Sequence, residues 1–147
     1  MKTKILLIIL LIATSCSEPT KKEPKLTLEK IIEREAIINN VEPQLIKAII
    51  KIESSGRPEA ISEKNCRGLM QINPEHLDYF GFNEVEELHD VENNIQAGVR
   101  LLKEELDRFG NVTDALRAYN CGAPGAMRYK NCGRNYAGLV LETLKGE

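Results

Sequence analysis

The sequence has 147 residues, of which 42% are hydrophobic and 29% are charged. This balance is typical of a globular protein and excludes a chain dominated by disorder. The length suits one domain with short appendages, because a domain of about 120 residues buries about two thirds of its unfolded-chain surface. The formal net charge is −2 and no lysine- and arginine-rich block stands out, which argues against nucleic acid as a partner.

Residues 1–16 have the pattern of a signal peptide. Lys2 and Lys4 supply a positive start, residues 5–12 are all aliphatic, and small residues lead to Cys16. This run is too short to span a hydrocarbon core about 30 Å thick, which disfavours a permanent transmembrane helix. The segment resembles a bacterial lipoprotein box with Cys16 as the lipidated residue, although Ala13 stands where a larger aliphatic is usual. An ordinary cleaved signal peptide is the alternative.

Residues 17–26 are predicted to be a flexible tether. The stretch SEPTKKEPK is polar, contains two prolines and has no apolar residue. Such a segment cannot bury surface on folding. Behind a membrane anchor, it would hold the predicted folded domain, residues 27–147, away from the bilayer.

Export of the protein, which the predicted signal peptide implies, would determine whether its cysteines can form a disulfide. Cys66, Cys121 and Cys132 remain in the domain, an odd number that allows at most one internal bridge with three possible pairings. In an oxidising compartment one disulfide is favoured over none. No ligand pair has the spacing of a metal site, and His76 and His89 are isolated, so we predict no metal site.

The first part of the domain is predicted to be helical. Apolar positions over residues 28–38 mark a first helix that ends near Asn39 and Asn40. Pro43 fits the first turn of a second helix, which ends at residues 54–56 ahead of Pro58.

The second part alternates a loop with further helices. Residues 61–74, which contain CRGLMQINP, are predicted to form a loop or small hairpin. Apolar residues from Ile95 to Phe109 then mark a long amphipathic helix closed by Gly110. We expect Thr113 to cap the helix DALRAYN, a loop over CGAPGAM to follow it, and a final helix to cover residues 136–144.

Glu53 lies in the last predicted turn of the second helix, where IIKIESSG runs branched aliphatics into a carboxylate. Ile46, Ile49 or Ile50, and Glu53 fall at helical spacing, and burying an unpaired charge is costly. The helix macrodipole and the loss of water both disfavour the anion and raise its pKa. A carboxylic acid that stays protonated near neutral pH can protonate the leaving oxygen of a glycosidic bond. A glutamate turned to solvent or paired with an arginine is the alternative.

Three motifs occur in order with helices between them: IESSGRPEAIS, GLMQI and AYNCGAPG. Together they resemble the lytic transglycosylase domain of the soluble bacterial type, whose relatives include goose-type lysozymes. The resemblance covers residues 41–140, nearly all of the predicted domain. It implies a mainly α, lysozyme-like fold with a short loop or hairpin lining the active-site cleft.

The resemblance also implies roles for individual residues. Glu53 matches the family's sole catalytic acid, and Tyr136 matches a tyrosine thought to help position that acid. Asn94 matches the start of the family's long helix. The implied substrate-binding residues are Ser54, Ser62, Met70, Gln71, Tyr119, Asn120 and Tyr136.

The cysteines depart from the family pattern. Cys121 stands where alanine is common, and Cys66 lies two residues before Gly68. Both would be near the cleft, so a bridge from Cys66 to Cys121 or Cys132 could brace it. Buried unpaired cysteines that pack as small hydrophobic residues are the alternative.

The implied activity is cleavage of the MurNAc-β-1,4-GlcNAc bond of peptidoglycan. Glu53 would act as single acid and base, and the muramoyl 6-hydroxyl would attack the anomeric carbon to give a 1,6-anhydro sugar without a cofactor. A hydrolytic muramidase is one alternative, and a non-catalytic wall-binding module is another. The implied partner is the peptidoglycan glycan strand, at the periplasmic side of the cell envelope. Cys16 would attach the protein to a membrane, and an envelope-spanning machine is a second candidate partner. A monomer is favoured.

Overall fold

The computed structural model describes residues 26–146. The predicted signal peptide, Cys16 and almost all of the predicted tether lie outside the described residues. Within this range seven α-helices follow one another: α1 Leu28–Asn39, α2 Pro43–Ser54, α3 Leu77–Phe80, α4 Val91–Phe109, α5 Val112–Cys121, α6 Ala123–Arg128 and α7 Arg134–Lys145. Short 3-10 helices cover Pro74–His76 and Val85–His89.

The predicted ends of the first two helices are confirmed. At the start of α1, the side chain of Thr27 accepts a hydrogen bond from the backbone N–H of Lys30, and Asn40 ends the helix in the left-handed conformation. In α2, Pro43 occupies the first turn and Ser55 is left-handed. Glu53 is therefore in the last turn of α2, as the sequence predicts.

Two predictions around α5 are wrong. Asn111, and not Thr113, caps this helix, because the Asn111 side chain accepts from the backbone N–H of Asp114 while Thr113 is already helical. The segment predicted as a loop after α5 forms the helix α6, in which Pro124 occupies the first turn. A proline is compatible with that position because it needs no N–H donor there.

The core gathers around α2. Ile46, Ala48 and Ile49 of this helix are fully buried, and α2 packs against α1 and α7. The long helix α4 packs against α1 and α5, and α5 in turn packs against α6 and α7. Because one face of α2 is buried along most of its length, the direction of its C-terminal turn, which carries Glu53, is fixed by the core.

The predicted hairpin is confirmed over residues 61–72. Arg67 forms antiparallel bridges with Ile61 and with Ile72. The backbone N–H of Arg67 donates to the carbonyl of Ile72 at 2.8 Å, and Ile72 returns the bond at 2.9 Å. Among the described helices, none is both long and apolar enough to cross a bilayer.

Candidate active site

A cleft of about 990 Å³ lies where the end of α2, the hairpin, α4 and the junction of α5 with α6 meet. Helices distant in sequence thus contribute side chains to one site. Of the catalytic and substrate-binding residues predicted from the sequence, five line this cleft: Glu53, Ser62, Gln71, Tyr119 and Asn120.

The carboxyl of Glu53 is the chemically distinctive group of the cleft. The residue is partly buried, and loss of water raises its pKa from 4.5 to about 7. The nearby hydroxyl of Tyr136 opposes this rise without cancelling it. Near neutral pH, protonated and ionised Glu53 are therefore both well populated, so the group can give and take a proton.

Two tyrosines stack beside Glu53. The rings of Tyr119 on α5 and Tyr136 on α7 are 6.4 Å apart between centroids and 15° from parallel. The Tyr119 hydroxyl donates to the carbonyl of Met70 at 2.9 Å. The buried Tyr136 hydroxyl makes no hydrogen bond of normal geometry with any described residue, yet it is near enough to Glu53 to lower the pKa of that carboxyl. Burial and the proximity of Glu53 raise the pKa of both phenols, which stay protonated.

Ser54 lies behind the cleft wall. It is only 2% exposed, and its hydroxyl donates to the carbonyl of Leu69 at 2.8 Å and lies 3.1 Å from that of Ile50. This burial leaves Ser54 without a surface for the substrate contact predicted from the sequence. Its hydroxyl ties the end of α2 to the hairpin instead, beside Glu53.

Met70 is also buried, with no exposed surface. It packs against Gly98 of α4 so closely that a Cβ on that glycine would lie 2.4 Å from the Met70 sulfur. The side chain therefore fills the space between hairpin and helix rather than lining the cleft. The predicted saccharide contact by the Met70 side chain is not what this structure shows.

Gln71 does reach the cleft. Its backbone is left-handed, with φ of 53°, and its side-chain amide nitrogen lies 2.9 Å from the carbonyl of Gly68 and 3.2 Å from that of Ala60. These two acceptors hold the amide in one orientation. Ser62, on the same hairpin, accepts a hydrogen bond from the backbone N–H of Cys66 at 3.1 Å.

The side chain of Asn94 attaches the hairpin to α4, a role that the sequence analysis did not predict. This α4 residue is 1% exposed. Its side-chain oxygen accepts from the N–H of Met70 at 2.7 Å, and its nitrogen donates to the carbonyls of Arg67 at 2.9 Å and Leu88 at 2.7 Å. Gly68 must lack a side chain here, because its φ is +77° and a Cβ would lie 2.2 Å from the Asn94 nitrogen.

The cysteines pair differently from the bridge considered above. Cys121 is bonded to Cys132, with a Cα–Cα distance of 6.1 Å, and Cys66 is free. Cys66 and Cys121 both line the cleft, so their predicted proximity to it is confirmed while a bridge from Cys66 is wrong. The disulfide joins the end of α5 to the segment that leads into α7.

Arg117 reinforces the same junction. Its guanidinium donates to the carbonyls of Cys132 at 3.0 Å, Ala126 at 3.0 Å and Tyr129 at 2.8 Å, and pairs with Asp114 at 2.6 Å. One planar cation thus satisfies carbonyls of α6 and of the turn that follows it. This segment precedes Tyr136, whose position it helps to define.

Glu105 is a further carboxylate of the cleft, besides Glu53 and Glu63, and the sequence analysis did not predict it. It lies on α4 one turn after Leu101, and both residues line the cleft. The only sequence signal for this position is its spacing: Leu101 and Glu105 are four residues apart and therefore lie on the same side of α4, next to its apolar stripe. Within residues 26–146, no group of three or more histidine, cysteine, aspartate or glutamate side chains is arranged to hold a metal ion.

A family model described as the transglycosylase SLT domain matches residues 30–138, most of the chain. The chain belongs to the transglycosylase SLT domain family. The recognition made from the three motifs is therefore confirmed.

Two curated relatives are similar to most of this SLT domain. The transglycosylase of Enterobacteria phage PRD1 is 36% identical over 108 residues, which cover 71% of this chain and 38% of the relative. The endo-type membrane-bound lytic murein transglycosylase A of Klebsiella pneumoniae is 31% identical over 121 residues, which cover 69% of this chain and 60% of the relative. The chain therefore spans less than two thirds of the length of either relative.

Solved structures share the fold of this SLT domain. An inactive Glu-to-Gln variant of the lytic transglycosylase Slt from Pseudomonas aeruginosa gives a TM-score of 0.61 at 25% identity, over 79% of this chain and 21% of that one. The 70 kDa soluble lytic transglycosylase of Escherichia coli gives 0.64 at 23% identity, over 78% and 20%. A complex of the 70 kDa soluble lytic transglycosylase with bulgecin A gives 0.65 at 24% identity, over 82% and 21%. The predicted mainly α, lysozyme-like fold is confirmed.

Proposed function

We propose that this protein is a peptidoglycan lytic transglycosylase that cleaves the MurNAc-β-1,4-GlcNAc bond and leaves a 1,6-anhydro-MurNAc end. Glu53 is its single acid and base. Membership of the SLT domain family supports the reaction class. The names of the relatives, a phage transglycosylase and a lytic murein transglycosylase, support peptidoglycan as the substrate.

The observation that carries this proposal is the partly buried position of the Glu53 carboxyl on the wall of a cleft of about 990 Å³, where loss of water raises its pKa to about 7. A glutamate with an ordinary pKa would be almost fully ionised at neutral pH and could not act as a general acid. The Pseudomonas aeruginosa relative is inactive with a glutamate replaced by glutamine. We infer that Glu53 has the corresponding role here.

The proposed reaction needs no added water. Protonated Glu53 gives its proton to the glycosidic oxygen as the bond from that oxygen to the muramoyl anomeric carbon breaks. The substrate's own acetamido group stabilises the positive charge that develops on the sugar. The Glu53 carboxylate then takes the proton of the muramoyl 6-hydroxyl, whose oxygen bonds to the anomeric carbon and closes the anhydro ring.

The other cleft residues are assigned to binding and positioning. Ser62, Gln71 and Asn120 offer polar groups along the wall that Glu53 shares, and we assign them to contacts with sugar hydroxyls and acetamido groups. Tyr119 lines the same wall. Tyr136 keeps its proton and holds the Glu53 carboxyl from behind.

The cell envelope is the proposed location. Cleavage of the signal peptide and lipidation of Cys16 would anchor the domain to a membrane, with residues 17–26 as the tether. The Klebsiella pneumoniae relative is named as membrane-bound, which supports the anchor. We propose that the domain acts as a monomer on glycan strands, either alone or beside an envelope-spanning machine.

Hydrolysis by a muramidase is the second candidate, and Glu105 is the observation that favours it. Glycosidases that invert configuration place a second carboxylate where it can activate a water molecule. Glu105 is a carboxylate on the wall that Glu53 also lines. If it activates water, the product is a reducing end instead of an anhydro end.

Digestion of purified sacculi, followed by mass spectrometry of the muropeptides, tests the proposal. Anhydro-muropeptides are expected from the native protein and none from Glu53→Gln, whereas Glu59→Gln, at an exposed carboxylate, serves as the matched control and keeps full activity. Reducing ends alone would favour the muramidase. No product from the native protein, together with binding to sacculi, would indicate a non-catalytic wall-binding module.

A further inference from the structure

Glu105 occupies an unusual environment for a helix-surface glutamate. Its side chain is 17% exposed, and its Oε2 atom is buried without a hydrogen bond to any described residue. Among the described residues, the charged partner of this oxygen is the guanidinium of Arg108, whose Nε lies 3.2 Å away. A mostly buried carboxylate on the wall of a cleft is a candidate for contact with a ligand.

Arg108 does not account for this burial. Its Nε atom is 3.2 Å from Glu105 Oε2, an ion pair without the alignment of a hydrogen bond. The Arg108 side chain is half exposed, so solvent screens its charge and the pair compensates the burial of Glu105 only in part. Burial raises the pKa of Glu105, and the nearby charge of Arg108 lowers it only in part.

The surroundings of Glu105 indicate what would bind there. It shares the cleft wall with Leu101 and with the α5–α6 junction, including Asn120 and Pro124. The other charged groups of the cleft besides Glu53 are Glu63 and Lys64, both exposed on the hairpin. A partly buried carboxylate that accepts hydrogen bonds is suited to an N–H or O–H donor, not to an anionic group.

We propose that Glu105 is a substrate-binding residue whose carboxylate accepts hydrogen bonds from N–H or O–H groups of the bound peptidoglycan strand. This inference rests on the proposed function of the cleft. The donors are hydroxyl and acetamido N–H groups of the sugars or amine and amide groups of the stem peptide, which share the same chemistry. Glu105 thus adds α4 to the elements that select the substrate, beside the motifs on α2, the hairpin and α5.

Binding measured in the Glu53→Gln background tests this inference without turnover. The probes are purified glycan strands that carry stem peptides and the same strands after amidase treatment, titrated by calorimetry. Adding Glu105→Leu should weaken binding by about tenfold or more, because a charge-assisted hydrogen bond is lost. Adding the isosteric Glu105→Gln, which preserves the shape, should weaken binding less.

Two control variants separate binding from fold. Glu33 is exposed on α1, so adding Glu33→Leu should leave binding unchanged. Adding Arg108→Gln removes the ion pair while leaving the carboxylate, and it too should leave binding within about twofold, since that pair is weak. Circular dichroism of every variant verifies that the helices are intact.

The probes distinguish the sources of the donor. A loss with both probes places the donor on the sugars, and a loss only with peptide-bearing strands places it on the stem peptide. Unchanged binding in folded Glu105→Leu and Glu105→Gln variants would overturn the inference and leave the proposed function standing. A Glu53→Gln parent that binds neither probe would overturn the proposed function itself.

Discussion

The buried hydroxyl of Tyr136 lies beside the carboxyl of Glu53 and is the group that lowers the pKa of that carboxyl against the effect of burial. The phenol comes from α7 and the carboxyl from the last turn of α2, and these two helices pack directly against each other. Two segments that are far apart in sequence thus determine the pKa of Glu53 together. Their contact is the basis of the first two predictions.

The activity of the native protein should fall as pH rises through about 7. Glu53 must be protonated before the bond breaks, and with a pKa of about 7 its protonated fraction drops tenfold per pH unit above that value. The Tyr119 and Tyr136 phenols keep their protons over this range. Measuring kcat/KM on soluble glycan strands from pH 5 to 9 should give a descending limb of slope −1. A limb centred near pH 4.5 would contradict the raised pKa.

Tyr136→Phe should move that descending limb to higher pH. The phenol stabilises the Glu53 anion, so its removal leaves burial unopposed and raises the pKa of Glu53 further. The maximal rate should fall by about tenfold to a hundredfold because the carboxyl loses a positioning contact. A pH profile of the variant separates the two effects. An unchanged limb would show that the phenol has no electrostatic influence on Glu53.

Glu53→Gln should stabilise the fold at alkaline pH. The pKa of Glu53 is about 7 in the folded protein and about 4.5 when unfolded. Below pH 4.5 Glu53 is protonated in both the folded and the unfolded protein, so its ionisation does not change the free energy of unfolding. Between pH 4.5 and 7 only the unfolded protein ionises Glu53 freely, so the folded state loses stability, and above pH 7 the loss is complete at no more than about 3 kcal/mol. Urea unfolding should therefore show Glu53→Gln more stable than the native protein at pH 8 and equal to it at pH 4. Equal stability at pH 8 would argue against a dry carboxyl.

Asn94→Ala should destabilise the protein by about 2–3 kcal/mol, because the buried N–H of Met70 and the carbonyl of Leu88 lose their Asn94 partner, while the carbonyl of Arg67 keeps only its bond from Ile72. Activity should fall with it, since the freed hairpin carries Gln71. Asn83→Ala, at an exposed residue, is the matched control and should change stability little. Thermal unfolding and sacculus digestion measure both effects. A small change in Asn94→Ala would mean that the hairpin holds its shape without this side chain.

Arg117→Lys should cost about 2 kcal/mol of folding free energy. A lysine ammonium cannot reproduce the fork that reaches the carbonyls of Cys132, Ala126 and Tyr129. Arg128→Lys, at an exposed residue of α6, should leave stability within about 0.5 kcal/mol. Guanidinium unfolding of both variants with the disulfide intact provides the comparison. Equal midpoints would show that the disulfide alone fixes this segment.

Local signals in the sequence determined much of this protein. Pro43 at the start of α2, Ser55 after its end and Gly110 after α4 are recognisable because capping depends on neighbours within one turn. The apolar stripe that ends at Glu53 is likewise local, so the position of the acid in the last turn of α2 followed from it. The three motifs then identified the family.

The tertiary structure decided what depends on contacts between distant segments. Burial of Ser54 and Met70, the pairing of Cys121 with Cys132, and the hydrogen bonds of Asn94 join residues that no spacing rule connects. Glu105 belongs to the same class, because whether a glutamate beside an apolar stripe faces solvent or a cleft depends on the helices packed around it. The periodicity of apolar residues predicts which face of a helix is buried, but only the tertiary packing determines which other elements that helix contacts.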